Sequence, residues 1–221
     1  MFSIIIAVAE KDIRSEVRNR YGITAIGLFV ITTVSLIMFA VAEEPLQRPL
    51  AAAILWVIMF YTAMTGLGRA FVSEEERGTA LFLRLNAPSL AIYFGKLFVN
   101  IALSIAANTI ATLLMMLFMS SVVVGDWLVL IATVIIGSVG LAAVLSIVSA
   151  IVAKAGTRNA ILPVLSFPML VPIIMPGVNA MLAALAGLTL LEASGDLLLM
   201  SSYTGLVIIA SVFVFDFIWA D

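Results

Sequence analysis

The chain contains neither cysteine nor histidine in its 221 residues. The first absence excludes disulfides and thiol chemistry, and the second excludes imidazole ligands for haem or metal and histidine acid–base catalysis. Eleven methionines are present, but scattered methionine in apolar helices ordinarily fills space. We therefore predict no metal site and no cofactor bound by this chain.

Charge is also scarce. Charged residues make up 11% of the chain and hydrophobic residues 64%, with a mean hydropathy of +1.25, whereas a soluble domain is roughly a quarter charged. A membrane-spanning helix needs about 20 apolar residues to cross about 30 Å of hydrocarbon. The sequence predicts an all-α integral membrane protein, one transmembrane domain over residues 1–221, with six spans at about 21–42, 51–72, 93–120, 127–153, 160–176 and 202–219.

The few cations are unevenly distributed. Because each span crosses the membrane once, successive loops lie on alternate sides of it. Only Arg48 lies on one side, and ten cations lie on the other: Lys11, Arg14, Arg18, Arg20, Arg69, Arg77, Arg84, Lys96, Lys154 and Arg158. Short loops rich in Lys and Arg stay in the cytoplasm, so we expect both termini there. No basic stripe with interleaved aromatic residues indicates nucleic-acid binding.

Residues 1–20 predict an amphipathic helix lying in the membrane surface. The apolar residues Phe2, Ile6, Ala9, Ile13 and Val17 share one helical face, and most charges lie elsewhere. Such an elbow helix either anchors the topology or braces a moving bundle and contacts a partner.

The loop between the second and third spans is the densest charged region. Ser73 is a candidate helix cap, and the acidic residues after it suit a first helical turn. Gly78 is a candidate break or a site where another backbone approaches closely, and Pro88 should stop the apolar turn that follows it. We expect a short helix parallel to the membrane, acidic on one side and apolar on the other.

The third span carries a ribbon of polar residues at steps of four, which should face other helices or a cavity. Both interhelical hydrogen bonding and a substrate path are open interpretations. The ribbon consists of Lys96, Asn100, Ser104, Asn108 and Thr112. In the fourth span, small residues at the same spacing predict close packing with a mate in this chain or in a second copy: Ser138, Ala142, Ser146 and Ala150.

The fifth span is rich in proline, which removes an amide donor and collides with the preceding turn of a helix. We expect breaks or kinks at Pro163, Pro168, Pro172 and Pro176. The apolar run from Val178 to Leu191 is too short to span comfortably. It predicts an outward re-entrant or interfacial helix; a seventh span, with the C-terminus outside, is the alternative. Asp216 should lie at the inner interface.

No nucleotide-binding motif of the form G-x-x-x-x-G-K-[ST] occurs, and no nucleophile is paired with a base. No pair of inward-facing carboxylates within the membrane suggests ion coupling. A helical bundle of this kind that cannot hydrolyse ATP itself implies that a separate chain supplies the energy. We therefore expect a non-catalytic subunit.

Three segments carry a resemblance to known proteins. Residues 69–81 (RAFVSEEERGTAL), continued by Leu85, Pro88 and Lys96, resemble the coupling region of type-2 ABC export permeases. Residues 11–16 (KDIRSE) and 162–172 (LPVLSFPMLVP) narrow the resemblance to the CcmB family, the membrane subunit of the cytochrome c maturation ABC transporter, or haem exporter. The similarity extends over essentially the whole chain.

The resemblance implies a location in the bacterial inner membrane, with a cytoplasmic ATPase (CcmA), CcmC, CcmD, the haem chaperone CcmE and a second permease copy as partners. It implies that ATP is bound by the ATPase and haem by partner proteins, and that ATP hydrolysis drives haem delivery or release of the loaded chaperone. By position in the family, an ATPase-docking element would comprise Glu74, Glu75, Glu76, Arg77 and Gly78. Alternatives are an export permease for a drug, lipid or glycan, an ion-coupled carrier, and a non-transporting scaffold.

Overall fold

A computed structural model describes residues 1–41, 46–119, 122–154 and 161–220 of the chain. The described residues form nine α-helices. In chain order they are α1 (Phe2–Asn19), α2 (Tyr21–Ala40), α3 (Arg48–Leu67), α4 (Val72–Glu76), α5 (Ala80–Asn86), α6 (Ser89–Phe118), α7 (Trp127–Lys154), α8 (Ile161–Ala186) and α9 (Ser194–Ala220).

Six of these helices, α2, α3 and α6 to α9, are long and apolar enough to cross a membrane. The prediction of six spans is confirmed in this sense, with boundaries that shift by several residues. Helix α6 has 30 residues and is therefore about 45 Å long, more than the hydrocarbon layer requires. Among the predicted features, the span ends Ala42, Ser120 and Ala160 and the cation Arg158 lie outside the described residues.

Helix α7 is the centre of the bundle. Two thirds (67%) of its most apolar window is buried, against 11% for α2 at the periphery. Helix α7 packs against α3, α6, α8 and α9. Its small residues make this packing possible: Ser138, Ala142, Ser146 and Ala150 are all completely buried within this one chain. These small residues therefore pack against other helices of the same chain, which is one of the two packing partners that the sequence allowed.

Helix α1 forms the predicted amphipathic element. Val8 is buried against α6, where a Cβ atom at Gly95 would lie 2.7 Å from Cγ1 of Val8. The opposite, apolar face is exposed, with Phe2, Ile6, Ile13 and Val17 each at least half exposed. A single residue in the left-handed conformation, Arg20 (φ 51°), joins α1 to α2.

Helix α8 corrects two expectations from the proline-rich segment. It runs without interruption through Pro168, Pro172 and Pro176, and Pro163 occupies its first turn, where proline is tolerated. Prolines persist inside a spanning helix when neighbouring helices help to satisfy the freed backbone groups. Since α8 continues to Ala186, the predicted break after Pro176 and the separate outward helix over residues 178–191 are both wrong; a short turn leads directly into α9.

The two ends of the bundle can be told apart by their contacts. At one end, which we call the charged end, α1, α4, α5, the first turns of α6 and the last turns of α9 meet; for example, Ser89 donates a hydrogen bond to Asp216. The end formed by residues 46–47, 119, 122–126 and 187–193 is the opposite end. The last turn of α9 and α1 thus lie at the same end, as expected for an even number of spans.

Candidate functional site

The loop between the second and third spans forms two short helices, α4 and α5. Gly78 separates them with a φ of +68°, a left-handed conformation that glycine adopts without strain. The predicted break at Gly78 is therefore confirmed. The predicted cap is wrong: Phe71 precedes α4, and the Ser73 hydroxyl instead donates to the carbonyl oxygen of Ala70 at 3.4 Å.

Glu74 does not belong to the exposed surface of this loop. It is 6% exposed, and its Oε1 accepts a hydrogen bond from Lys96 Nζ at 2.9 Å. Its Oε2 accepts a hydrogen bond from the Thr79 hydroxyl. A carboxylate that is buried and paired in this way holds the loop onto α6.

Lys96 is the centre of this network. The side chain is 2% exposed, and its ammonium donates to Asp12 Oδ2 at 2.9 Å and to the Ala70 carbonyl at 3.0 Å, besides Glu74. It also lies 5.4 Å from the centre of the Phe71 ring. Three oxygen acceptors satisfy all three donors of the ammonium, as a buried lysine requires. Lys96 therefore ties α1, α4 and α6 together and belongs to the charged end.

Lys11 completes the network from α1. Its Nζ lies 2.5 Å from Glu74 Oε1 and 3.0 Å from Asp12 Oδ1. Burial alone would lower the pKa of Lys11, but its hydrogen bond to Glu74 and the charge of Asp12 raise the pKa above its usual value. Lys11, Lys96, Asp12 and Glu74 together form an electrically neutral group of two cations and two anions.

The outer surface of the loop has a different composition. Glu75 pairs with Arg84 and Glu76 with Arg69, each at 3.0 Å, while Arg77 donates to the hydroxyl of Ser15 at 2.9 Å. Three large apolar side chains on α5 are also mostly exposed: Leu81 (64%), Phe82 (67%) and Leu85 (77%). The loop thus presents a polar edge beside an apolar face.

The inner surface of the loop is fastened to α7 and α9. The Phe71 amide donates to Ser149 Oγ at 3.0 Å, and the Phe71 ring lies 5.3 Å from the ring of Phe215 and 5.3 Å from that of Trp219. Tyr93 extends this cluster, 5.2 Å from Phe215. The Arg84 guanidinium lies 4.9 Å from the centre of the Trp219 ring. Displacement of the loop would therefore act on α6, α7 and α9 directly.

The rest of the polar ribbon on α6 bonds within the bundle. Asn100 donates to Ser146 at 2.8 Å, and Asn108 donates to Ser138 at 3.0 Å and to Ser104 at 3.3 Å. The Thr112 hydroxyl donates to the carbonyl of Asn108, one turn earlier, at 2.8 Å. The two contacts with α7, from Asn100 and Asn108, favour interhelical hydrogen bonding over a continuous path through the membrane.

A cavity of about 180 Å³ lies at the charged end among α1, α2, α3, α4 and α6. Lys96 and Asn100 line it, and Leu103 is the residue farthest along α6 that reaches it. Ser104, Asn108 and Thr112 lie beyond it, all buried. Within the part of the chain that the structure describes, no group of three acidic, cysteine or histidine side chains could hold a metal ion.

Sequence reasoning missed the partners of this site. Asp12 was recognised only as part of a surface helix, and Ser149 and the aromatic cluster were not singled out. A lysine on a spanning helix indicates that a carboxylate must be near it. That signal predicts a partner for Lys96, but choosing Asp12 and Glu74 among thirteen acidic residues requires the fold.

Comparison with known proteins places the chain in a family. A search of curated proteins found no match. The family model described as "CcmB protein" matches residues 3–218, nearly the full length of the chain. The chain therefore belongs to the CcmB family.

Proposed function

We propose that this chain is the transmembrane subunit of an ABC system for cytochrome c maturation, and that it transmits the work of a separate ATPase across the membrane. The work would drive haem delivery, or release of a haem-loaded chaperone, at the opposite end. Membership of the CcmB family supports the system, and one structural observation carries the coupling: the loop α4–α5 is anchored to three spans on its inner side and presents a free surface on its outer side.

The docking surface for the ATPase consists of the loop residues that the bundle does not bury. This surface takes Glu75, Glu76, Arg77 and Gly78 from the docking element that the family resemblance implies, and it leaves out Glu74 because Glu74 is buried. Leu81, Phe82 and Leu85 extend it. Interfaces commonly combine an apolar centre with a polar rim, which is the composition of this surface.

The orientation follows from the charge distribution. Arg48 begins α3 at the opposite end, whereas the charged end contains the described residues Lys11, Arg14, Arg18, Arg20, Arg69, Arg77, Arg84, Lys96 and Lys154. The positive-inside rule therefore supports a cytoplasmic charged end with both termini in the cytoplasm, and membership of the CcmB family supports a location in the bacterial inner membrane. An ATPase that uses cytoplasmic ATP would meet the docking surface on that side.

The reaction chemistry belongs to partner proteins in this proposal. ATP is bound and hydrolysed by the CcmA-like ATPase, and haem is carried by proteins of the CcmC, CcmD and CcmE kind, because this chain offers no histidine or cysteine to ligate iron. A second copy of this chain would pair with a second ATPase subunit. The chain itself contributes positioning and movement.

The test is copurification of the ATPase with a tagged Phe82→Ala/Leu85→Ala double variant. We expect the variant to insert normally but to lose most of the ATPase and most mature c-type cytochrome, because both side chains are exposed and removing them leaves no cavity in the bundle. Phe217→Ala, which truncates an 82% exposed side chain of α9, is the matched control and should retain both. Full ATPase recovery with the double variant would refute this docking surface.

A further inference from the structure

Helix α1 packs mainly against α6, and its charged side chains also link it to the loop α4–α5. One face of α1 presents three linked residues within five positions: Lys11 to Glu74 at 2.5 Å, Asp12 to Lys96 at 2.9 Å, and Ser15 to Arg77 at 2.9 Å. None of these contacts is with a neighbour on α1. They connect its charged face to α4, to the turn after α4 and to the start of α6.

By contrast, a single residue connects α1 to α2, the helix that follows it. Arg20 alone separates α1 from α2, and its left-handed conformation turns the chain sharply. A single turning residue of this kind can absorb a change of backbone angle, as hinge positions at element ends do. The apolar face of α1 is exposed, so lipid can accommodate its movement along the membrane surface.

We infer that α1 moves together with the loop α4–α5 when the ATPase displaces that loop. Lys11 and Asp12 are the positioning residues that make α1 follow α4. This inference rests on the proposed function, because it requires an ATPase to displace the loop. When the loop moves, breaking these links would take Lys11 from the buried Glu74 and Asp12 from the buried Lys96, and the loss of even one of two partners costs free energy at a site of low polarity. Helix α1 therefore travels with α4 and the first turns of α6, and Arg20 is the hinge.

Two double variants of α1 with the same change of charge test whether Lys11 and Asp12 couple α1 to α4. Lys11→Ala/Asp12→Ala removes one cation and one anion, so the net charge is unchanged and the pair between Lys96 and Glu74 is kept. Glu10→Ala/Arg14→Ala also removes one charge of each sign from α1, but that pair joins two exposed residues one turn apart on the same helix. Both variants therefore change the charge of α1 equally, and only the first removes contacts of α1 with α4 and α6; it removes two of the three and leaves the hydrogen bond between Arg77 and Ser15.

The experiment measures distances between spin labels in the purified complex of this chain with its ATPase, without nucleotide and with ATP trapped. Because the chain has no cysteine, labelling it before the ATPase is added places labels only at the introduced sites. One pair, Ile6→Cys with Asn86→Cys, joins α1 to α5; the other, Asn86→Cys with Leu191→Cys, joins α5 to the opposite end. All three positions are exposed.

In the unmodified complex we expect ATP to shift the second distance, between positions 86 and 191, and to leave the first distance, between positions 6 and 86, unchanged. In the Lys11→Ala/Asp12→Ala variant we expect ATP to shift the first distance as well. In the Glu10→Ala/Arg14→Ala variant the first distance should stay unchanged. A first distance that changes with ATP in the unmodified complex would overturn the inference while leaving the proposed function in place. So would a Lys11→Ala/Asp12→Ala variant that behaves like its control. If the second distance does not respond to ATP, or the ATPase does not copurify, the proposed function fails and the inference fails with it.

Discussion

The two ends of the bundle are held together by different kinds of contact. At the charged end, side chains of opposite charge join α1, α4 and α6, with Lys96 donating to three acceptors. At the opposite end, backbone contacts join the turn before α7 to the end of α8: the amides of Gly125 and Asp126 both donate to the carbonyl of Ala184, at 3.0 and 2.9 Å. The charged end can rearrange by exchanging partners, whereas close backbone contact either holds or is lost.

Glycine makes the opposite end possible. A Cβ atom at Gly125 would lie 2.4 Å from both the nitrogen and the Cα of Gly187, which itself has a φ of +81°. Deeper in the same half, Trp56 fits between Gly137 and Gly177, where an added Cβ would lie 2.9 Å and 1.9 Å from indole carbons. The comparison predicts sensitivity to charge removal at one end and to added volume at the other.

The largest effect is expected for Lys96→Met. This variant leaves Asp12 and Glu74 with Lys11 as their remaining cation, and breaking a buried ion pair by removing one partner costs about 3–5 kcal/mol. The free energy of unfolding can be measured by SDS titration of the detergent-solubilised protein. Lys154→Met, at an exposed lysine in the last turn of α7, is the control. Equal losses in the two variants would contradict the central position of Lys96.

Gly125→Ala should have the next largest effect. The added methyl group would meet backbone atoms of Gly187 that cannot rotate away, and overpacking of this kind costs about 1–3 kcal/mol. Gly205→Ala is a suitable control, because a Cβ atom there meets nothing within 4 Å. Thermal unfolding in detergent compares the two variants. A Gly125→Ala protein as stable as its control would show that the two backbones are not in close contact.

A smaller difference is expected between two serines of α7. Ser149→Ala leaves the buried amide of Phe71 without its acceptor, at a cost of about 1–3 kcal/mol. Ser138→Ala removes one of the two hydroxyl acceptors of Asn108, and hydrogen bonds between spanning helices average about 0.6 kcal/mol. The same SDS titration ranks them. If Ser138→Ala is the more destabilising variant, the hydrogen bond from Phe71 to Ser149 contributes little to holding the loop α4–α5 against α7.

The features predicted correctly from the sequence were those that a pattern of residues determines locally. Apolar length identified the six long helices, the spacing of Phe2, Ile6, Ile13 and Val17 identified α1, and Gly78 marked a break because a left-handed residue there favours glycine. Each of these depends on a short stretch of chain and on little else.

The features predicted wrongly depend on neighbours that are distant in the sequence. The prolines of α8 indicated breaks, but packing against α3, α7 and α9 keeps the helix continuous. Glu74 matched the pattern of an exposed acidic turn, and only the arrival of Lys96 and Lys11 from other helices explains its burial. Propensity describes the isolated segment, whereas the tertiary partners decide the outcome.

The central claim is that the loop α4–α5 receives an ATPase on the cytoplasmic side. It is tested most directly by labelling Leu85→Cys, at a side chain that is 77% exposed, with a membrane-impermeant maleimide. In inside-out vesicles we predict rapid labelling when the ATPase has been stripped away and protection when it is bound, because the bound ATPase would cover the docking surface. Labelling only from the outer face of the membrane, or labelling that the ATPase does not affect, would contradict the account.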